Sequence, residues 1–321
     1  EVGRGYAVTA VTPPFPGLYS DSADFVGAFN TGDINVSVYK NDLEVDDNNW
    51  NFIGNPYPSA IDAQLFLAEN TALIAANPGA PMNGAIFLWS QGSPANANNN
   101  GNENWNFNQS DYAIINGTMG TAGGSGTPPD PYISSGQGFF ISYEHTAPEI
   151  DAVGNIKRNE VTFTNSMRVT GNNSQFFEAN QISLNFDSNT NNEPNKLWID
   201  LTSDNGVFSQ IGIGYVSEAT DGNDGWYFDT PKNLSTSANS ILYSLIEGED
   251  EKYGIQGKDL NSLDINEIIP LGFYTKINEA TLYTISISQF EGSFLSNNAI
   301  YLNDNFLNEI HDLSASDYTF I

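Results

Sequence analysis

Apolar residues recur at every second position in short runs, and this periodicity constrains the chain more than any other feature. Ile182, Leu184 and Phe186 alternate with polar residues. So do Leu197, Ile199 and Leu201, then Ile211, Ile213 and Tyr215, then Tyr283, Ile285 and Ile287. A period of two puts one side of an extended strand in a core and the other in water. Turn-forming clusters at 187–195, 221–225 and 296–298 separate the runs. Asn and Gly suit such turns because they tolerate left-handed backbone. Short strands at this spacing predict antiparallel sandwiches. A length of 321 residues suits about two domains. The boundary is placed within 146–158, after a strand at 138–143 and before one at 161–169. The chain therefore reads as all-β, with two antiparallel, jelly-roll-like β-sandwich domains, 1–155 and 156–321. One short helix is expected in the first domain.

That helix begins at Ser59, with Asp62 three residues on to complete a capping box. Ile61, Leu65, Ala68 and Ala72 share one helical face, and Asn77, Pro78 and Gly79 end the pattern. Two loops, 96–108 and 119–131, are longer than compact domains usually carry.

Charge narrows the function. The 39 acids against 10 bases leave a formal charge of −29. Such a surface repels phosphates and anionic membranes, so nucleic acid is not an expected partner. No apolar run approaches the roughly 20 residues of a membrane span, so membrane insertion is not expected either. The absence of cysteine excludes disulfides, thiolate nucleophiles and Cys-based zinc sites. His145 and His311 are the two histidines, and no G-x-S-x-G elbow accompanies them, so a Ser-His-Asp arrangement is unsupported. Paired carboxylates hydrolyse glycosides. Among 39 acids, however, some pair always falls at a suitable separation, so their presence carries no weight. The chain is not expected to be an enzyme.

The acidic loops have more definite chemistry. Asp221, Asn223, Asp224 and Asp229 cluster in one loop and offer hard oxygen donors that suit Ca²⁺. Asp46, Asp47, Asn48 and Asn49 form a second cluster, and Asp187, Asn189, Asn191 and Asn192 a third. A solvated Asx turn explains each of them equally simply. Trp105 and Trp226 lie in polar loops, with Tyr227 beside the latter. Aromatic rings flanked by amides and carboxylates form platforms for sugars, because a ring offers an apolar face and the amides bond hydroxyls. Trp198 points opposite to Leu197 and Ile199 and is expected to be partly exposed.

Several longer elements are more distinctive. The chain reads WNFIGNPYPSAID at Trp50 to Asp62 and SSGQGFF at Ser134 to Phe140. It continues with FTNSMR at Phe163 to Arg168, ATDGNDGWYFD at Ala219 to Asp229, IPLGF at Ile269 to Phe273, and HDLSASDYTF at His311 to Phe320. Their order and spacing resemble a β-rich segment of Bacteroidetes surface and secreted proteins. In those proteins the segment precedes the carboxy-terminal sorting signal of the type IX secretion system. The resemblance implies export, contact with the type IX machinery, and an extracellular or outer-surface location. It implies no reaction, because the segment accompanies many different catalytic and adhesive modules. Asp21, Ser22 and Ala23 resemble the short O-glycosylation pattern of such proteins, with Ser22 as acceptor. The chain opens without a basic start or an apolar h-region and ends in a strand pattern. It is therefore expected to be a piece of a longer precursor, cut before a sorting domain. Gly54, Pro56, Pro58, Gly136 and Gly138 are read as backbone devices rather than as a site. The functional expectation is a non-catalytic adhesive or structural module that binds glycans or other copies of itself. Self-association would run through edge strands that few bases are available to blunt. A carbohydrate-binding module and a paired-carboxylate glycosidase are the alternatives.

Overall fold

The computed structural model describes residues 2–6, 27–43, 49–74, 84–90, 112–124, 126–171, 193–232 and 240–321. Strands dominate them, with one seven-residue helix, Ala63–Glu69, and a five-residue helix, Ser293–Asn297. The chain is all-β. Ile182, Leu184 and Phe186 lie outside the described residues.

The first body has three layers. A five-stranded sheet runs in the order Trp50–Gly54, Gly138–Ser142, Ile86–Trp89, Tyr112–Ile115, Gly120–Thr121. A three-stranded sheet orders Ile34–Asn41, Ile156–Phe163 and Asp151–Val153. The helix lies between them. Phe66 meets Phe139 of the larger sheet at 5.4 Å and Phe163 of the smaller at 4.8 Å. The tip of the 151–163 hairpin falls where the two domains were expected to divide. Beyond it, Ile156–Phe163 pairs along its whole length with Ile34–Asn41 and adds Val161 and Phe163 to the first core.

The helix departs from expectation in its cap and its face. Asp62, not Ser59, is the N-cap, and its carboxylate accepts from the N–H groups of Gln64 and Leu65. The start shifts because Ile61 and Asp62 are held extended by pairing with Ile133 and Tyr132. Its buried face is Ala63, Phe66, Leu67 and Asn70, while Leu65, Ala68 and Ala72 face solvent. Two layers compete for this helix, and the bulky Phe66 decides which side turns inward.

The GNPYPS and GQGFF elements prove to be neighbours. Gly54 pairs with Gly138 and Phe52 with Phe140. A Cβ at Gly138 would lie 2.5 Å from the Phe52 ring, so only glycine lets that ring lie flat on the strand. Asn55 donates to the carbonyls of Ser59, Ile133 and Ser134 at 2.8–3.1 Å and accepts from Tyr57 N–H at 3.0 Å. These contacts give both motifs an architectural role.

The second body is a larger, curled sheet. Its strand order is Leu271–Thr275, Ser240–Ser244, Tyr253–Asp259, Phe208–Val216, Asn195–Ser203, Tyr283–Glu291, Tyr318–Phe320. One pairing breaks the antiparallel rule, because Phe208–Val216 runs parallel to Tyr253–Asp259. A long crossover, residues 217–252, makes that direction possible. The curl encloses a second core around Ile199, Leu201, Ile211, Leu242 and Tyr283.

Trp198 corrects another expectation. It does point away from Leu197 and Ile199, yet it is only 6% exposed. The outer face of this sheet is covered by the first body, so the strand is buried on both sides. Trp198 packs with Phe87, Ile114 and Met119, and its indole N–H donates to the Gly120 carbonyl at 2.7 Å. The Asn116–Thr121 turn is the fastening point. Asn116 is fully buried and donates to Phe228 O and Thr230 Oγ1 at 3.2 and 2.9 Å, and more weakly to Trp226 O. Its Oδ1 accepts from the N–H groups of Thr118 and Met119. Gly117 N–H donates to Tyr227 O at 2.7 Å, and Ala122 N–H to Gln210 Oε1 at 2.8 Å.

Candidate functional site: an aromatic face and an acidic loop

Alternation on the five-stranded sheet collects rings on the face opposite the helix. Trp50 and Phe52 come from one strand, Phe87 and Trp89 from another, and Tyr112 and Phe140 from two more. Phe52 stacks on Phe140 at 4.5 Å, Phe140 meets Tyr112 at 5.6 Å, and Tyr112 meets Trp89 at 5.0 Å. Trp50 stands edge-on to Phe87 at 4.9 Å and lies 6.4 Å from Trp226 of the second body, tilted by 34°. Trp50 is 39% exposed, and Phe52, Trp89, Tyr112, Phe140 and Trp226 are half-buried. The result is a ribbon of rings across the junction of the two bodies.

Of the expected platform residues, Trp226 joins this ribbon and Tyr227 does not. Tyr227 is buried in the first core, its ring against Gly117 and Phe228. Turning into the body lets it carry part of the junction instead of facing solvent. Trp105 and Ser22 lie outside the described residues. The larger part of the ribbon escaped the sequence reading, although its signal was present. Trp50 with Phe52, and Phe87 with Trp89, are pairs two positions apart, which places each pair on one sheet face.

The Asp221–Asp229 loop is closed by its own oxygens. Asp221 takes a hydrogen bond from Ser262 and pairs with Lys258 at 3.2 Å. Burial raises its pKa, but the Ser262 and Lys258 bonds and the Lys258 charge outweigh that and hold it below the usual carboxylate range. Lys258 also pairs with Glu267 at 3.1 Å. Asn223 Oδ1 accepts from Gly225 N–H, and Asp224 Oδ1 from the Thr220 hydroxyl at 2.9 Å. Asp229 is fully buried, and its two oxygens accept from Asp224 N–H at 2.8 Å and Gly257 N–H at 3.0 Å. The four side chains thus turn to different donors. Among the described residues, no group of three or more His, Asp or Glu side chains is arranged to hold a metal ion. In the second cluster only Asn49 is described, and its Oδ1 accepts from Asn41 N–H at 2.7 Å. Asp46, Asp47, Asn48 and the cluster at Asp187, Asn189, Asn191 and Asn192 lie outside the described residues.

Asp229 carries a testable consequence. Burial pushes its pKa up to about 8, against the pull of the two N–H bonds and Lys258, while the Asp224 charge adds to the rise. An unfolded Asp releases its proton near pH 4. Between about pH 4 and pH 8 the folded chain therefore holds a proton that the unfolded chain has lost. Stability falls as pH rises through that window and levels off above it. Asp229→Asn should melt lower than wild type at pH 5, because its Nδ2 faces a backbone N–H. It should then lose less between pH 5 and 8. Equal slopes in thermal melts across that range would remove Asp229 as the source.

His311 sits beside Ser316. Its Nε2 lies 2.8 Å from Ser316 O and 3.3 Å from Ser316 Oγ, on an exposed hairpin. The His145 carbonyl accepts from Lys40 Nζ at 2.7 Å.

The fold and these surfaces define an all-β module of two bodies fastened through a buried turn. No helix among the described residues is long and apolar enough to cross a membrane. The chain belongs to the family described as Domain of unknown function (DUF8693), whose model matches residues 1–321. No curated protein and no solved structure matches the chain.

Proposed function

We propose that this chain is a non-catalytic adhesive or scaffolding module of a secreted or outer-surface protein exported by the type IX machinery. One observation carries the non-catalytic reading: the polar groups best suited to chemistry are consumed by structure. Asp221 is held by Lys258 and Ser262, and Asp229 by two backbone N–H groups. The surface left for work is the aromatic ribbon. It favours carbohydrate binding as the second reading, because stacked rings fit the apolar faces of sugar rings. The charge of −29 disfavours anionic glycans as such a ligand. Ca²⁺ is the weaker part of the proposal, since it would compete with Lys258 and the N–H donors for the loop oxygens.

Affinity electrophoresis in gels of neutral plant and algal polysaccharides tests both readings. The expected result is retention that Trp50→Ala reduces at least fivefold, with no release of reducing ends. Retention of neither protein leaves the scaffolding reading and removes the glycan one. Release of reducing ends, abolished by replacing a single acid, would overturn the non-catalytic assignment.

A further inference from the structure

A two-stranded hairpin, Tyr301–Asp304 with Glu309–Asp312, forms its own small sheet beside the curled one. Residues directly opposite each other on paired strands share a face. Leu302, Asp304, Glu309 and His311 therefore lie on one side, and Tyr301, Asn303, Ile310 and Asp312 on the other. The first side is anchored. Leu302 packs on the second core, the Tyr318 hydroxyl donates to Asp304 Oδ2 at 2.7 Å, and the His311 ring lies 5.4 Å from that of Tyr318. The second side and the tip present large apolar side chains to solvent. Phe306 is 95% exposed, Ile310 75%, and Tyr301 and Leu307 more than half.

The tip is held in one shape. Asp304 Oδ1 accepts from the N–H groups of Phe306 and Leu307 at 2.7 and 2.9 Å. Asn308 closes the turn at a φ of 57°, which asparagine tolerates. The apolar side chains thus stand on a fixed frame, which lowers the ordering cost of binding. Exposed apolar residues scattered singly are ordinary. Four gathered within residues 301–312 and bordered by polar groups mark an interaction surface.

Charge selects the occupant. Asp304, Glu309, Asp312 and Asp317 lie in or beside the hairpin, and no Lys or Arg occurs from 277 to 321. An apolar surface ringed by acids disfavours anionic lipid and a second copy of a chain whose charge is −29. A partner that carries an apolar stripe flanked by bases complements it on both counts. We propose that the outer side and tip of this hairpin dock a basic amphipathic segment of a partner protein, with Phe306 and Ile310 as the apolar anchors. This would be the contact of the scaffolding module proposed above, and it rests on that reading.

The probe is a capped helical peptide of leucine and lysine with the leucines on one face. Calorimetric titration of the whole chain at physiological salt should show binding, with slower amide exchange at 304–310. The double variant Phe306→Ser, Ile310→Thr should weaken binding at least about tenfold. Its Tm should not change, because both side chains already lie in solvent. A scrambled peptide of the same composition should bind as weakly as the variant does. Equal affinity for the scrambled peptide, or of the double variant, would reduce the contact to charge and overturn the proposal, as would no binding at millimolar peptide. Protection elsewhere on the chain, with 304–310 unchanged, would overturn the hairpin and leave the scaffolding reading standing. Co-sedimentation with zwitterionic vesicles, or a concentration-dependent dimer, lost in the double variant, would put lipid or a second copy on the tip and overturn the partner assignment.

Discussion

Replacing Asn116 with alanine should cost the fold about 3–4 kcal/mol. Its amide lies wholly inside the protein and makes five hydrogen bonds. Each bond is worth roughly 1 kcal/mol net, and a buried group left unpaired costs about 1–3 kcal/mol. Alanine leaves the N–H groups of Thr118 and Met119 without their acceptor, while Trp226 O keeps the Thr230 hydroxyl at 2.7 Å. Thr118 Oγ1 still serves Phe228 O at 3.0 Å, which limits the loss. Because the turn ties the two bodies together, the loss should also appear as faster exchange of the Gly117 N–H. A change in the chemical denaturation midpoint below about 1 kcal/mol would show that the turn is not the fastening point.

Gly214→Ala should cost about 2–3 kcal/mol, the upper part of the range for overpacking a dense interior. Gly214 sits on the outer face of the curled sheet, beside Gly257 on the parallel neighbour. A Cβ there would lie 2.4 Å from Thr118 Cγ2. Thr118 cannot easily yield, because its N–H is bonded to Asn116 Oδ1 and its hydroxyl to Phe228 O. Thr118→Ser removes the clashing methyl and keeps the hydroxyl. The double variant should therefore recover at least half of the lost stability in a denaturation series. If Thr118→Ser restores nothing, the destabilisation arises elsewhere on the strand.

These two residues show where local pattern stops being informative. Leu197, Ile199 and Leu201 announce an alternating strand, and the structure puts all three in the second core. Trp198, on the same strand, was expected to meet partial solvent. It meets the first body, because the Asn116–Thr121 turn lies across that face. A single strand's alternation reports two faces. It does not report that a segment some eighty residues upstream will cover the second one. The helix shows the same limit. Asp62 was recognised as part of a cap, but a strand pairing with Ile133 moved the start by three residues and rotated the buried face to Phe66.

The candidate surfaces divide in the same way. The acidic loop was visible as a cluster, since Asp221, Asn223, Asp224 and Asp229 are close in sequence. What they bond was not visible, because Lys258 and Ser262 arrive from a different strand and turn. The ribbon was half visible. Trp226 was singled out, but Trp50 reaches it only through the junction of the bodies.

By itself the sequence determined the all-β class, a short helix in the first body, and the architectural character of GNPYPS and GQGFF. Those follow from backbone periodicity and from the restricted dihedrals of Gly and Pro, which act within a few residues. Tertiary structure alone decided that both faces of the central strands are buried and that the acidic side chains bond one another's backbone and Lys258. Each of these depends on which distant segment occupies a face or an edge, and that is settled by packing, not by local pattern.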